Sequence, residues 1–288
     1  MTALDLLVPA RCAGCGRQGT PCCARCLATF GPPLRLQVPG VAPPVWTLAP
    51  YAGAARELVL AFKERGTHAL AAWFGALVAA ALVALGPPPW TLVPAPSRRS
   101  AARDRGGDHV LRIAREAEVA AVAPVLRLAA GVADSVGLGP GARRRNLEGR
   151  VEVHGLEEAF GAAQAFGAAE ASGAAQAFGA TERIGAAGAF GAAQAFGVAE
   201  APSAARLFGM ARAFGAAEAR GPGPPGISVQ PRAGVRPRLK VPGTTVLLDD
   251  VVTTGATASA CVGALRQAGV RTNAVLVLTS ARPPQPGE

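Results

Sequence analysis

Aromatic side chains are scarce in this 288-residue chain, at 5%, and none stands in the basic tract at 219–240. Surfaces that hold single-stranded nucleic acid interleave aromatic faces with positive charge. A tract of five basic residues (Arg220, Arg232, Arg236, Arg238, Lys240) with no acid and no aromatic therefore reads first as a solvated linker and second as a DNA contact. Lysine is also nearly absent: of 29 basic residues only Lys63 and Lys240 are lysines. The net charge of +10 is thus an arginine charge, which suits phosphate-bearing partners as well as a plain solvated surface. No secretory apolar region is evident, because Asp5 and Pro9 interrupt the start of the chain. Long apolar runs are missing. The longest, Ala69–Leu85, would span ~26 Å as a helix against a hydrocarbon core of ~30 Å, and its alanine content marks a buried helix. The expectation is a cytoplasmic protein with no membrane contact.

What is present is concentrated near the far end. Residues 245–257 read Thr-Val-Leu-Leu-Asp-Asp-Val-Val-Thr-Thr-Gly-Ala-Thr. A short apolar run is the pattern of a buried parallel strand, and ligands of open α/β sheets sit beyond the carboxyl ends of such strands. Asp249 and Asp250 fall at such an end. The backbone N–H groups of Thr254, Gly255, Ala256 and Thr257 would then open a helix, a ready anion site. The hydroxyls of Thr253, Thr254 and Thr257 add donors. Acids for vicinal hydroxyls beside a phosphate cradle suit a ribose 5-phosphate.

Five of the six cysteines lie between positions 12 and 26. Cys12 with Cys15, and Cys23 with Cys26, form two C-x2-C knuckles. Such a pair can bring four thiolates to one tetrahedral metal, and in a cytosolic chain it favours zinc over disulfides. Gly14 and Gly16 permit the tight turn a knuckle needs. Cys22 is the surplus thiol and could exchange with Cys23. Cys261 reads as a small buried apolar residue.

Several segments follow in order: a Pro-rich linker at 31–50; an amphipathic helix from Tyr51 through Lys63 to Gly66; and the buried helix Ala69–Leu85. A short strand Trp90–Val93 leads into Pro94-Ala95-Pro96, and an Arg-rich turn around Arg105-Gly106 follows. Next come a helix over Asp108–Val119, a strand Ala121–Leu126, and an Arg/Asn segment at 143–149 entering a strand at Arg150–Val153. The last elements are the acid-tipped strand, a helix Ala256–Gln267 and a strand Ala274–Leu278. His109 at a helix start and Lys63 on an exposed helix face read first as surface residues.

The run at 245–257 resembles the binding motif of type I phosphoribosyltransferases, and the order of segments resembles the ComF family, phosphoribosyltransferase-like proteins with an N-terminal zinc knuckle. The resemblance covers roughly residues 8–153 and 238–283. It implies an α/β fold, a parallel sheet flanked by helices with right-handed crossovers. It further implies that Asp249 and Asp250, the candidate catalytic pair, hold the ribose hydroxyls of phosphoribosyl pyrophosphate, and that Thr253, Thr254, Gly255, Ala256 and Thr257 hold its 5-phosphate. Mg²⁺ would accompany the pyrophosphate and structural Zn²⁺ would sit on Cys12, Cys15, Cys23 and Cys26. Transfer of phosphoribose to an acceptor, in a setting of DNA uptake during competence, is the activity implied. The alternative is a non-catalytic module associated with single-stranded DNA or DNA-processing proteins. Two stretches depart from the family pattern. Gly107-Asp108-His109 stands where an aromatic, Asn and Gln usually follow the Arg-Gly turn, and Asp134–Leu138 lacks the usual glutamine.

Residues 159–218 are ten six-residue units close to Ala-Phe-Gly-Ala-Ala-Gln. Six residues rotate a helical side chain by ~240° net, so the phenylalanines would form no stripe. A hexapeptide β-helix has the right period but would lack β-branched residues to line it. The expected organisation is a cysteine knuckle at 1–35, a phosphoribosyltransferase-like domain at 45–154 and 236–283, and a low-complexity insertion with its linker at 155–235.

Overall fold

The computed structural model describes residues 10–97, 107–131, 139–165 and 243–284. Its centre is a mixed α/β layer: a six-stranded, mostly parallel sheet flanked by helices. The chain starts with two close cysteine turns and a short helix α1 (Ala24–Leu27), then β1 (Leu34–Leu36) and β2 (Val45–Pro50). Helices α2 (Gly53–Glu64) and α3 (Leu70–Leu85) lead to β3 (Trp90–Pro94). Next come α4 (His109–Glu116), β4 (Ala120–Val122), β5 (Leu126–Leu128), α5 (Pro140–Leu147) and β6 (Val151–Val153). The last elements are β7 (Thr244–Val252), α6 (Ala256–Gln267) and β8 (Ala274–Ser280).

In space the strands run β1-β2-β8-β7-β3-β4, with β1 alone antiparallel; β5 and β6 make a separate antiparallel pair. The two latest strands in the chain thus fill the middle of the sheet. Both faces are covered, so the central strands are apolar on both sides, as parallel strands require. Alternation along each strand sorts side chains between two cores. Val246 and Leu248 of β7, with Leu276 and Leu278 of β8, join α2, α3 and α4 on one face. Leu247, Val275 and Val277 meet α6 on the other.

Helix α3 is apolar nearly all round and is buried along most of its length, with Leu70, Phe74, Val78 and Leu82 at 1% exposure or less. Among the described residues no helix is long and apolar enough to cross a membrane. Gly75 lets α3 and α4 approach: a Cβ there would stand 2.5 Å from Glu116 Cβ and 2.6 Å from its carbonyl carbon. Alanine at a helical glycine normally gains up to ~1 kcal/mol, while overpacking costs ~1–3 kcal/mol, and a backbone neighbour has little room to yield. Gly75→Ala should therefore lower thermal stability, and a melt at or above the wild-type temperature would refute this contact.

Four differences from the sequence reading have local causes. The Pro-rich stretch 31–50 is not a plain linker but carries β1 and β2, paired from Leu34↔Thr47 to Leu36↔Val45. The single strand expected over Ala121–Leu126 is two strands in different sheets, parted around Pro124, which has no N–H to give a ladder. The Arg/Asn segment forms α5, opened by Pro140 at its first turn. Residues 156–165, the start of the expected insertion, are helical, and Phe160 is buried in the second core. The remaining repeat units and the basic tract lie outside the described residues.

Candidate functional site

Strands β3 and β7 are neighbours, yet their crossovers diverge: β3 continues through α4 to β4 on one side, β7 through α6 to β8 on the other. Such a divergence marks a topological switch point at the carboxyl ends of the two strands, where open α/β sheets form their ligand crevice. Asp249 and Asp250 lie there. They are two residues short of the end of β7, since Val251 and Val252 continue the pairing with β8.

The pleat sends the two acids to opposite faces. Asp250 shares parity with Val246 and Leu248 and so points to the α2 and α4 side. Its Oδ2 pairs with Lys63 Nζ of α2 at 2.8 Å and with His109 Nε2 of α4 at 2.8 Å. Its Oδ1 accepts the Val251 N–H at 2.8 Å. Burial alone would raise this carboxyl, but Lys63 and His109 outweigh it and hold it well below the ordinary 3.8. Lys63 is raised in turn, chiefly by the charge of Asp250.

Asp249 points to the α6 side and is half-buried. Its Oδ1 accepts the Asp250 N–H at 2.9 Å. Burial, then the charge of Asp250, push its carboxyl well above the ordinary 3.8. Cys261 of α6 is fully buried, as expected, and its thiol is pushed up by burial and then by Asp249.

The loop after β7 places the other expected residues. Thr253 is exposed, Thr254 and Thr257 are half-buried, and Gly255 and Ala256 are buried. Thr254 Oγ1 accepts the Ala256 N–H at 3.4 Å. Gly255 caps α6 in the left-handed region at φ +81°, and a side chain there would run into Val38 Cγ1. Both facts demand glycine. Segment 38–41 therefore lies over the loop, and Ser259 Oγ donates to Gly40 O at 2.9 Å. Arg282, just past β8, brings a guanidinium to the same loop, with Nη1 3.5 Å from Thr253 O.

Sequence reasoning set His109 and Lys63 aside as surface residues; both belong to the site. The N-cap explains how His109 is placed. Asp108 accepts from Val110 N at 3.0 Å and Leu111 N at 3.2 Å, starting α4. Its other oxygen accepts the Ser97 N–H at 2.8 Å, tying α4 to the end of β3. His109 is then the first helical residue, 7% exposed, with Nδ1 3.3 Å from Ser97 Oγ. The parity of Asp250 and the Asp-His step were the available signals, but only the strand order says which helices that face meets.

A second cluster packs near the middle of α2, where a Cβ on Gly14 would meet Leu58 Cγ at 3.3 Å. The sulfurs of Cys12, Cys15, Cys23 and Cys26 all lie within 4.8 Å of one another, and Cys15 and Cys23 are 3.7 Å apart. Four sulfurs on ~2.3 Å bonds to zinc would be about 3.8 Å apart, so the cluster can hold a structural metal. The Cys23 N–H points to Cys12 Sγ at 3.3 Å. Burial raises the Cys12 thiol, but N–H groups of Cys23, Gly14 and Cys15 bring it down to about 7, readying a thiolate. Gly14 is needed here, since a Cβ would lie 2.9 Å from Cys26 Sγ. Cys22 stands outside the four, its thiol pushed up to about 12 by burial and the neighbouring sulfurs. No family model matches the chain, and no curated protein matches it.

Proposed function

We propose that this chain binds phosphoribosyl pyrophosphate at the crevice between β3 and β7 and belongs, by its motif, with ComF-like phosphoribosyltransferases. The carrying observation is the unit itself. A carboxyl pair near the end of a central strand leads, through a left-handed glycine, directly into a helix N-terminus. That unit supports a ligand with hydroxyls at one end and a phosphate at the other, because helix N-termini favour anions and carboxylates accept from hydroxyls. The Arg282 guanidinium beside the loop adds to the anion preference.

Among the described residues the cysteines are the one group of three or more candidate metal ligands drawn together. Mg²⁺ accordingly enters as the companion of the pyrophosphate, which suits a cation that keeps most of its waters. Zinc is the metal we assign to the cysteines, as a structural ion with no open position for chemistry. A four-thiolate site fits a reducing compartment, here the cytoplasm. Transfer to an acceptor would proceed by positioning and charge stabilisation around an oxocarbenium-like centre. Competence-linked DNA binding rests on the resemblance and on the basic tract alone.

Calorimetric titration with phosphoribosyl pyrophosphate and Mg²⁺ tests the reading. Saturable binding by the wild type, abolished in the Asp249→Ala/Asp250→Ala double variant, is expected. A folded wild type that takes up no ligand would end the proposal.

A further inference from the structure

The phosphoribosyl reading gives the two acids one shared duty, but their side-chain partners and exposure differ. Asp250 is 4% exposed, and three donors occupy its carboxylate: Lys63 Nζ, His109 Nε2 and the Val251 N–H. A ligand hydroxyl would have to displace one of them from a buried anion, and leaving a buried charge short of a partner is costly. Asp249 is half-buried and spends Oδ1 on the Asp250 N–H.

We propose that the pair divides its work: Asp249 alone faces the ligand, while Asp250 is a positioning residue. Lys63 and His109 lock Asp250 so that the end of β7 and the loop Thr253–Thr257 present a fixed surface. This rests on the phosphoribosyl reading above. The locking parts come from four elements. Lys63 is in the last turn of α2, His109 opens α4, Ser97 follows β3, and Asp250 lies on β7. Asp108 joins two of them by capping α4 and accepting from Ser97 N. The Gly-Asp-His departure from the family pattern thus supplies His109 and its N-cap to this lock.

Ser97, His109 and Asp250 fall in the order of a hydrolytic relay. Two features argue against a nucleophile. Lys63 Nζ already meets the same carboxylate oxygen that His109 Nε2 meets, so that oxygen is shared with a cation. The Ser97 Oγ contact is also long, at 3.3 Å. The pattern suits the tautomer with its proton on Nε2, donating to Asp250, and Nδ1 accepting from Ser97. His109 then acts through Asp250 and touches no ligand.

The test uses the full-length, metal-loaded chain and Mg²⁺–phosphoribosyl pyrophosphate, with thermal melts of every variant. Asp249→Ala should weaken binding by about a hundredfold, the upper size of one charge-assisted hydrogen bond. His109→Ala should weaken it about tenfold, and His109→Gln, whose amide can donate to Asp250, should bring it back to within about threefold. If Asp249→Ala binds like wild type, the division is overturned and the phosphoribosyl reading stands. If His109→Ala binds like wild type, or Gln restores nothing in a folded protein, the positioning role is overturned. No binding by the wild type overturns the phosphoribosyl reading and the ligand role of Asp249 with it. Carboxyl carbon resonances give a ligand-free readout: Asp250 should stay ionised to lower pH than Asp249, and the reverse order would overturn the lock.

Discussion

Cys23→Ser is expected to lose a bound zinc ion and, with it, much of the fold. Structural zinc contributes ~10–16 kcal/mol of apparent binding energy in small thiolate sites, and that energy becomes folding energy. A whole domain is stable by only ~5–15 kcal/mol, so losing even half of such a site is enough to unfold it. The cluster is also no appendage. Cys12, Cys23 and Cys26 share the main core with Leu58, Phe62 and Phe74, and Phe30 meets Phe74 edge to face at 5.8 Å. Elemental analysis should find about one zinc per wild-type chain, as a closed four-thiolate site requires. Cys22→Ala is the control: its sulfur lies outside the cluster, so the ion should stay. Metal-free wild type of unchanged stability would remove the site from the account, as would zinc loss equal in the two variants.

Lys63→Met is expected to destabilise the protein by about 3–5 kcal/mol, the usual result of stripping a partner from a buried charge. Methionine keeps the stem and its packing, so the effect isolates the ammonium. Asp250 is 6% exposed at its side chain and Lys63 30%, which places the pair well away from the weak surface class. The sign with pH follows from the direction of the shift. Asp250 is held below its ordinary 3.8, so the stability it contributes is complete above that value. It is lost as pH falls through the depressed folded-state value. The gap between wild type and variant should be widest at neutral pH and should close in acid. Urea unfolding at several pH values measures it; a gap that ignores pH, or no gap, would sink the ion pair as a determinant of stability.

The unit at 245–257 was legible because every part of it is local. A run of three apolar residues, Val246–Leu248, makes the heart of the strand, two threonines and a glycine make the turn, and α6 begins at Ala256 and ends at Gln267 as expected. The cysteine cluster was legible for the same reason. What escaped was non-local. Strand β2 looks like a Pro-rich linker until β8 lies beside it from Val45↔Val275 to Pro50↔Ser280. Lys63 and His109 look like surface residues until β7 is set beside β3, which turns Asp250 toward both. Helix α5 was hidden by its arginines, whose charge obscures any apolar stripe.

The order in which the sheet is made has a consequence for the nascent chain. Strands β2 and β3 never touch; they are held apart by β8 and β7, which come after both in the chain. While the ribosome is still short of Thr244, the slot between them is vacant. The apolar undersides of α2 and α3 then have no β7 or β8 to cover, and two unpaired strand edges flank the gap, a template for wrong partners. Closing it joins residues as distant as Trp90 and Thr244. The acid pair therefore arrives on the element that completes the sheet. A chain halted before β7 lacks the binding loop and both central strands of its six-stranded sheet at once.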